Sequence, residues 1–135
     1  MYVLFIVLNE REYLSEVLFK MNQLGIRGAT VIDSMGAKAV NQKRTSIPIL
    51  SSMMQSLEGD TQFNNTIFSV IEREEQVERV MEHIEKILGG DMKRPNKGIM
   101  FVLPVTHMRG GELHRHIESR ENKKVIAQEI ESEYY

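Results

Sequence analysis

The chain repeats one pattern of apolar residues, with the second copy 63 positions after the first. Each copy runs from a short β-rich segment, through a few charged residues, into residues whose apolar positions recur with helical spacing. Eight apolar pairs match at this offset: Phe5/Phe68, Val7/Val70, Leu8/Ile71, Leu14/Val77, Val17/Val80, Leu18/Met81, Met21/Ile84 and Leu24/Ile87. The sequence therefore predicts two copies of one strand–helix unit.

Each predicted helix is followed by another extended segment. The first helix is expected to end at Gly25 and the second at Gly89-Gly90, because glycine is favoured just past a helix end. Apolar runs follow at 29–32 and 99–105. This order predicts an α+β fold of the ferredoxin-like βαββαβ type, in which a four-stranded antiparallel sheet carries two helices on one face.

The predicted strands are apolar on both faces. One set of alternating residues is Phe5, Val7, Phe68, Val70, Phe101 and Leu103, and the other is Leu4, Ile6, Leu8, Ile67, Ile71, Met100 and Val102. Strands of this kind are usually buried on both faces. Two helices can cover only one of them, so further copies of the chain are expected on the other, as a homo-oligomer. The alternative is that the C-terminal segment covers it.

Composition restricts the class of protein. A chain of 135 residues with 41% hydrophobic content fits one compact core, and the absence of cysteine fits a reducing cytoplasm. The longest uncharged apolar stretch, Met1 to Leu8, is far shorter than the roughly 20 residues of a membrane-spanning helix. A net charge of −2 without blocks of Lys or Arg argues against nucleic acid as a partner.

A long connection separates the second and third strands, over residues 36–65. Connections of this length in compact domains are usually functional. A short helix is predicted at about 48–57, and the apolar residues available to contact a partner protein or a neighbouring subunit are Ile47, Leu50, Met53, Met54 and Leu57. The domain is expected to span 1–110, with a charged segment at 111–135 that is helical or partly disordered.

The loop at 89–98 has the composition of an anion site. It contains three cations and three glycines, and Arg109 follows the next strand; the candidate ligand contacts are Gly89, Gly90, Lys93, Arg94, Lys97, Gly98 and Arg109. Lysine and arginine bind phosphate or carboxylate, and glycine leaves backbone N–H groups accessible to an anion. Basic loops are also commonly just solvated, so both interpretations stay open here.

Other chemistry is less well supported. His114 and His116 are two residues apart, but no cysteine or nearby carboxylate set completes a metal site, and no metal is expected. No serine-based triad, phosphate loop or dinucleotide motif is present. The chain is therefore not expected to be an enzyme.

The string Gly98-Ile-Met-Phe-Val-Leu-Pro-Val105 resembles the final core strand of the PII nitrogen-regulatory signalling proteins. Gly25-Ile-Arg-Gly-Ala-Thr-Val31 is similar to their second strand with its entry turn, and the resemblance covers about residues 1–106. It implies a trimer that binds an adenine nucleotide between subunits and contacts a target protein, such as a membrane transporter or an enzyme, through the long T-loop. Gly36 and Lys38 would lie at the base of that loop.

The sequence departs from the family's pattern at several positions, as a divergent member would. Ile99 stands where the family has a nucleotide-binding lysine, and Lys97 lies on the other side of Gly98. The family's Arg-x-Arg after the final strand is missing, with Arg109 standing alone and earlier, and the long connection lacks the tyrosine modified in enteric members. The resemblance therefore implies a PII-like regulator with a small anionic ligand such as an adenine nucleotide.

Three alternatives share this fold class. A CutA-like trimer would bind divalent metal through the histidines. An acylphosphatase-like hydrolase would need an arginine between the first strand and helix, where Arg11 is available without a glycine-rich cradle. An RNA-recognition domain should carry several aromatic residues on its third strand, where only Phe68 is found at 66–71.

Overall fold

The computed structural model describes residues 1–37 and 63–134. The chain divides into two compact units, Met1–Pro104 and Val105–Tyr135. The elements of the first unit are β1 (Tyr2–Leu8), a 3₁₀ helix (Arg11–Tyr13), α1 (Leu14–Gln23), β2 (Thr30–Met35), β3 (Phe63–Ile71), α2 (Glu74–Ile87) and β4 (Gly98–Pro104). The second unit contains α3 (Gly111–Tyr134).

The four strands form one antiparallel sheet in the order β2-β3-β1-β4. This is the ferredoxin-like arrangement, so the predicted fold class is confirmed. The two copies of the sequence repeat place their first strands, β1 and β3, side by side at the centre of the sheet. Phe5 of β1 lies opposite Phe68 of β3 and Phe101 of β4.

The core lies between one face of the sheet and the two helices of the first unit. Its fully or nearly fully buried residues are Leu4, Ile6, Leu8, Val17, Met21, Ile26, Ile67, Ile71, Val77, Val80, Ile84 and Leu88. The helical members recur every three or four positions, so each helix turns one apolar stripe to the sheet. Burying one such side chain stabilises the fold by about 1.5–3 kcal/mol.

The opposite face of the sheet, called the outer face below, is also apolar. It carries Val3, Phe5, Val7, Ile32, Phe68, Val70, Ile99, Phe101 and Leu103. The Phe5 ring stacks on Phe101, with centroids 5.0 Å apart, and lies 5.8 Å from Phe68. Phe101 is 39% exposed and Leu103 is 49% exposed. The predicted division of the strands into two apolar faces is confirmed.

Strand β3 begins three residues before the predicted start at Thr66, because polar side chains pair across the sheet there. Phe63, Asn64 and Asn65 lie opposite Met35, Ser34 and Asp33 of β2, which itself runs to Met35 rather than ending at Ile32. The asparagine side chains bond to Ser34 and Asp33. Asparagine is unfavourable in strands in general, but here its amide groups are satisfied.

Helix α3 is dominated by charged residues, and its apolar side chains Val125 and Ile126 are exposed. Within residues 1–37 and 63–134, no helix is long and apolar enough to cross a membrane. The predicted boundary between a domain at 1–110 and a segment at 111–135 stays a prediction.

Candidate functional site

The ends of all four strands meet at one end of the sheet. β1 and β2 finish there, at Leu8 and Met35, and β3 and β4 begin there, at Phe63 and Gly98. The antiparallel order requires this, since neighbouring strands run in opposite directions. The connection between β2 and β3 therefore leaves and returns at the same place as the turn after β1 and the basic loop, residues 89–98.

A charged network ties the turn after β1 to both strands that flank the long connection. The Arg11 guanidinium lies 3.3 Å from Asp33 Oδ1, and its Nε donates to Asn65 Oδ1 at 3.4 Å. Asn65, which is almost fully buried, donates to Asp33 Oδ1 at 2.8 Å. A buried amide is costly unless it is hydrogen-bonded, so this network fixes Asn65 and the two strands relative to Arg11.

A second polar group lies at the same end on the outer face. The Ser34 hydroxyl bonds to Asn64 Oδ1 and lies 2.8 Å from the Thr66 hydroxyl. Asn64 Nδ2 donates to Asn9 Oδ1 at 3.4 Å. The apolar outer face therefore ends in hydroxyl and amide groups where the long connection begins and finishes.

Lys97 is the cation of the basic loop that lies closest to the strand ends. Its Nζ lies 2.7 Å from Glu10 Oε1, and the two side chains are 17% and 25% exposed. An ion pair that is largely removed from water is screened by salt less than an exposed pair. Lys97 is therefore already neutralised by a carboxylate from the turn after β1.

The position of Lys97 is set by the residue that follows it. Gly98 has φ +100° and lies opposite Leu8 of β1. A Cβ placed on Gly98 would lie 1.8 Å from the Val7 carbonyl oxygen, so only glycine allows this approach of the two backbones. Asn96, with φ 65°, supplies the preceding left-handed turn. Close pairing of β4 with β1 thus brings Lys97 to Glu10.

Gly89 and Gly90 close helix α2. The Gly90 N–H donates to the Glu85 carbonyl at 2.8 Å and the Gly89 N–H donates to the Lys86 carbonyl at 3.2 Å, with positive φ at both glycines. This is the pattern of a Schellman helix end. These two N–H groups are used by the helix, so the anion chemistry of the loop depends on its cations. Gly89 lies next to Lys97, whose Nζ would be 3.7 Å from a Cβ placed on the glycine, at ordinary van der Waals distance.

The other two loop cations are more exposed. Arg94 Nε lies 4.0 Å from Asp91 Oδ2, a weak pair between exposed side chains. Asp91 Oδ1 also accepts from the Lys93 backbone N–H at 3.0 Å, which stabilises the turn at this point of the loop. Lys93 and Arg94 therefore lie on the same loop as Lys97 and have exposed side chains.

The remaining predicted contacts are placed as follows. Gly36 is exposed and directly follows β2. Arg109 belongs to the second unit. Lys38 and the partner-contact residues Ile47, Leu50, Met53, Met54 and Leu57 lie outside the described residues.

Glu10, Asp33 and Asn65 were not predicted from the sequence to belong to this end of the sheet. Arg11 was considered only as the arginine that an acylphosphatase-like hydrolase would need. Arg11 instead bonds to Asp33 and Asn65. A usable signal was the charged group at 10–12 directly after an apolar strand, together with an acidic residue at 33 inside the next strand.

The metal interpretation finds no supporting cluster among the described residues, where no group of three or more His, Asp or Glu side chains is placed to hold an ion. His114 Nδ1 accepts from the Gly110 N–H at 3.2 Å, and its Nε2 lies 2.8 Å from Glu118 Oε1. Both ring nitrogens are thus engaged within the second unit.

The described strands and helices form a ferredoxin-like domain in which a long connection separates β2 from β3. The family model for nitrogen regulatory protein P-II matches residues 2–110. The chain therefore belongs to the P-II family, and the resemblance seen in its strands is confirmed. No curated protein matches the chain. Membership supports a regulatory, signalling role.

Proposed function

We propose that the chain assembles as a trimer through its outer face, binds a small anionic ligand at the basic loop, and signals to a target protein through the long connection. The ligand proposed is an adenine nucleotide, and the cysteine-free composition suits a cytoplasmic regulator. Membership of the P-II family supports this proposal. The observation that carries it is the meeting of the basic loop with both ends of the long connection at one end of the sheet.

The outer face supports the assembly step. Three phenylalanine rings lie together on it, and monomeric proteins rarely expose a continuous apolar surface of this kind. Packing of further copies on this face would bring residues of neighbouring chains to the polar groups at its edge, Asn9, Ser34, Asn64 and Thr66. A ligand cleft between subunits would then be bordered by the basic loop.

The signalling step has a physical requirement. A ligand shifts the long connection between two states only if it binds those states with different affinity. Asp33 and Asn65 hold the two strands that flank the connection, and both bond to Arg11, one residue from Glu10. Lys97 pairs with Glu10, and Glu10 directly precedes Arg11. Ligand contact with Lys97 therefore affects a residue next to the group that fixes the connection.

Adenine nucleotides are expected to raise the melting temperature of the protein, because a ligand that binds the native state stabilises it by mass action. The measurement is a thermal-shift titration with ATP, ADP and AMP, with cyclic dinucleotides included as competing candidates. Lys97→Met should weaken the best nucleotide by about tenfold, since it removes one charge-assisted contact.

Lys86→Met is the matched control, because it removes an equal charge from an exposed position on the last turn of α2. It should leave nucleotide affinity within about twofold of wild type. If no nucleotide changes the melting temperature, or if the two lysine variants lose affinity equally, the proposed ligand site is wrong.

A further inference from the structure

The proposed anion site already contains an anion from the chain itself. The Glu10 carboxylate lies 2.7 Å from Lys97 Nζ, at the distance of a strong charge-assisted hydrogen bond. Both side chains are mostly shielded from solvent. An incoming phosphate or carboxylate that uses Lys97 must therefore share it with Glu10 or displace Glu10.

The backbone of Glu10 is held on its C-terminal side by the 3₁₀ helix and by the contacts of Arg11. Its carbonyl accepts from the Tyr13 N–H at 3.1 Å, at the start of the 3₁₀ helix. The next residue, Arg11, is held by Asp33 and Asn65. The held backbone and the partial burial of the Glu10 side chain limit the conformations of its carboxylate, so pairing with Lys97 costs less conformational entropy than it would for a flexible surface side chain.

Lys97 is fixed on its own side as well. The close approach of Gly98 to the Val7 carbonyl sets the end of the basic loop against β1. The pair is thus a consequence of the strand pairing, and it is present without any ligand.

We propose that Glu10 is an internal competitor for the anion site and sets the affinity of Lys97 for its ligand. This inference rests on the proposed function and names a regulation of that same site. A second anion next to the Glu10–Lys97 pair would be repelled by the carboxylate, so binding requires Glu10 to move away from the ammonium. The free energy spent on this displacement lowers the apparent affinity.

The test compares ATP binding to wild type and Glu10→Gln by isothermal titration calorimetry at fixed ionic strength. Glutamine keeps the shape of glutamate and removes its charge. Glu10→Gln is expected to bind ATP about fivefold to tenfold tighter than wild type. Melting temperature and sedimentation without ligand check that the variant is folded and assembled like wild type.

Two controls separate competition from a general change of charge. Glu12→Gln removes an exposed carboxylate from the same turn and should change ATP affinity by less than about twofold. In a Lys97→Met background, the further change Glu10→Gln should raise ATP affinity by less than about twofold, the effect of charge repulsion alone, because the competed group is gone.

The outcomes distinguish this inference from the proposed function. With wild type still binding, equal ATP binding by Glu10→Gln would mean that the Glu10 charge does not affect the site, and weaker binding would mean that Glu10 positions Lys97 for the ligand. Either result overturns only the competition. Binding by Glu10→Gln alone supports the competition and contradicts nucleotide binding by the natural chain. No binding by either protein overturns both.

Discussion

Replacing Gly98 with alanine is expected to destabilise the protein by about 3 kcal/mol, through strain and through loss of strand pairing. The φ of +100° at this position is unfavourable for any residue with a Cβ. The added Cβ would also lie 1.8 Å from the Val7 carbonyl oxygen, which is backbone and cannot rotate away. The β1–β4 pairing must open locally to relieve the contact, and Lys97 should then separate from Glu10.

Urea unfolding at one fixed protein concentration measures this loss, with Gly90→Ala as the matched control. Gly90 has a similar φ of +86°, but a Cβ there meets nothing within 4 Å. Its alanine variant should therefore lose only about 1 kcal/mol, the cost of the left-handed backbone alone. Equal losses from the two alanine variants would mean that the contact with Val7 is not what requires glycine at position 98.

Most of the fold was predictable because the repeat consists of apolar side chains, which have to be buried. Phe5 and Phe68 mark equivalent strands, and those strands lie next to each other in the sheet. Val17 and Val80 mark equivalent helices, and both are buried against the same face. The start of β3 was not predictable in this way, since Asn64 and Asn65 suit a strand only when Ser34 and Asp33 lie opposite them.

The candidate site was predictable only in its local part. The cations and glycines at 89–98 are adjacent in the sequence, so their composition indicates an anion site directly. The partner of Lys97 is Glu10, which lies near the other end of the domain's sequence, and no local sequence pattern connects the two. The glycines at 89 and 90 are likewise expected in the sequence both when their N–H groups bind an anion and when they end a helix. Only the hydrogen bonds of α2 distinguish these two roles.

The apolar outer face gives the second large expected effect. The wild-type protein should sediment at micromolar concentration with three times the 15.6 kDa mass of one chain, and Phe101→Asp should sediment as a monomer. Phe101 lies in the middle of the edge strand β4 and stacks on Phe5 of the central strand β1, and a carboxylate in its place would be desolvated in the assembly without a partner. Analytical ultracentrifugation over a range of concentrations measures the change.

Phe19→Asp is the matched control because it introduces the same charge at a phenylalanine on the solvent side of α1. Phe19 is 64% exposed and Phe101 is 39% exposed, so Phe19 would be the stronger candidate for a subunit contact if exposure alone decided it. It lies away from the three rings that pack together on the sheet, however, and its replacement should leave the trimer intact. A monomeric wild type, or dissociation by Phe19→Asp and not by Phe101→Asp, would contradict assembly through the outer face and remove the proposed cleft between subunits.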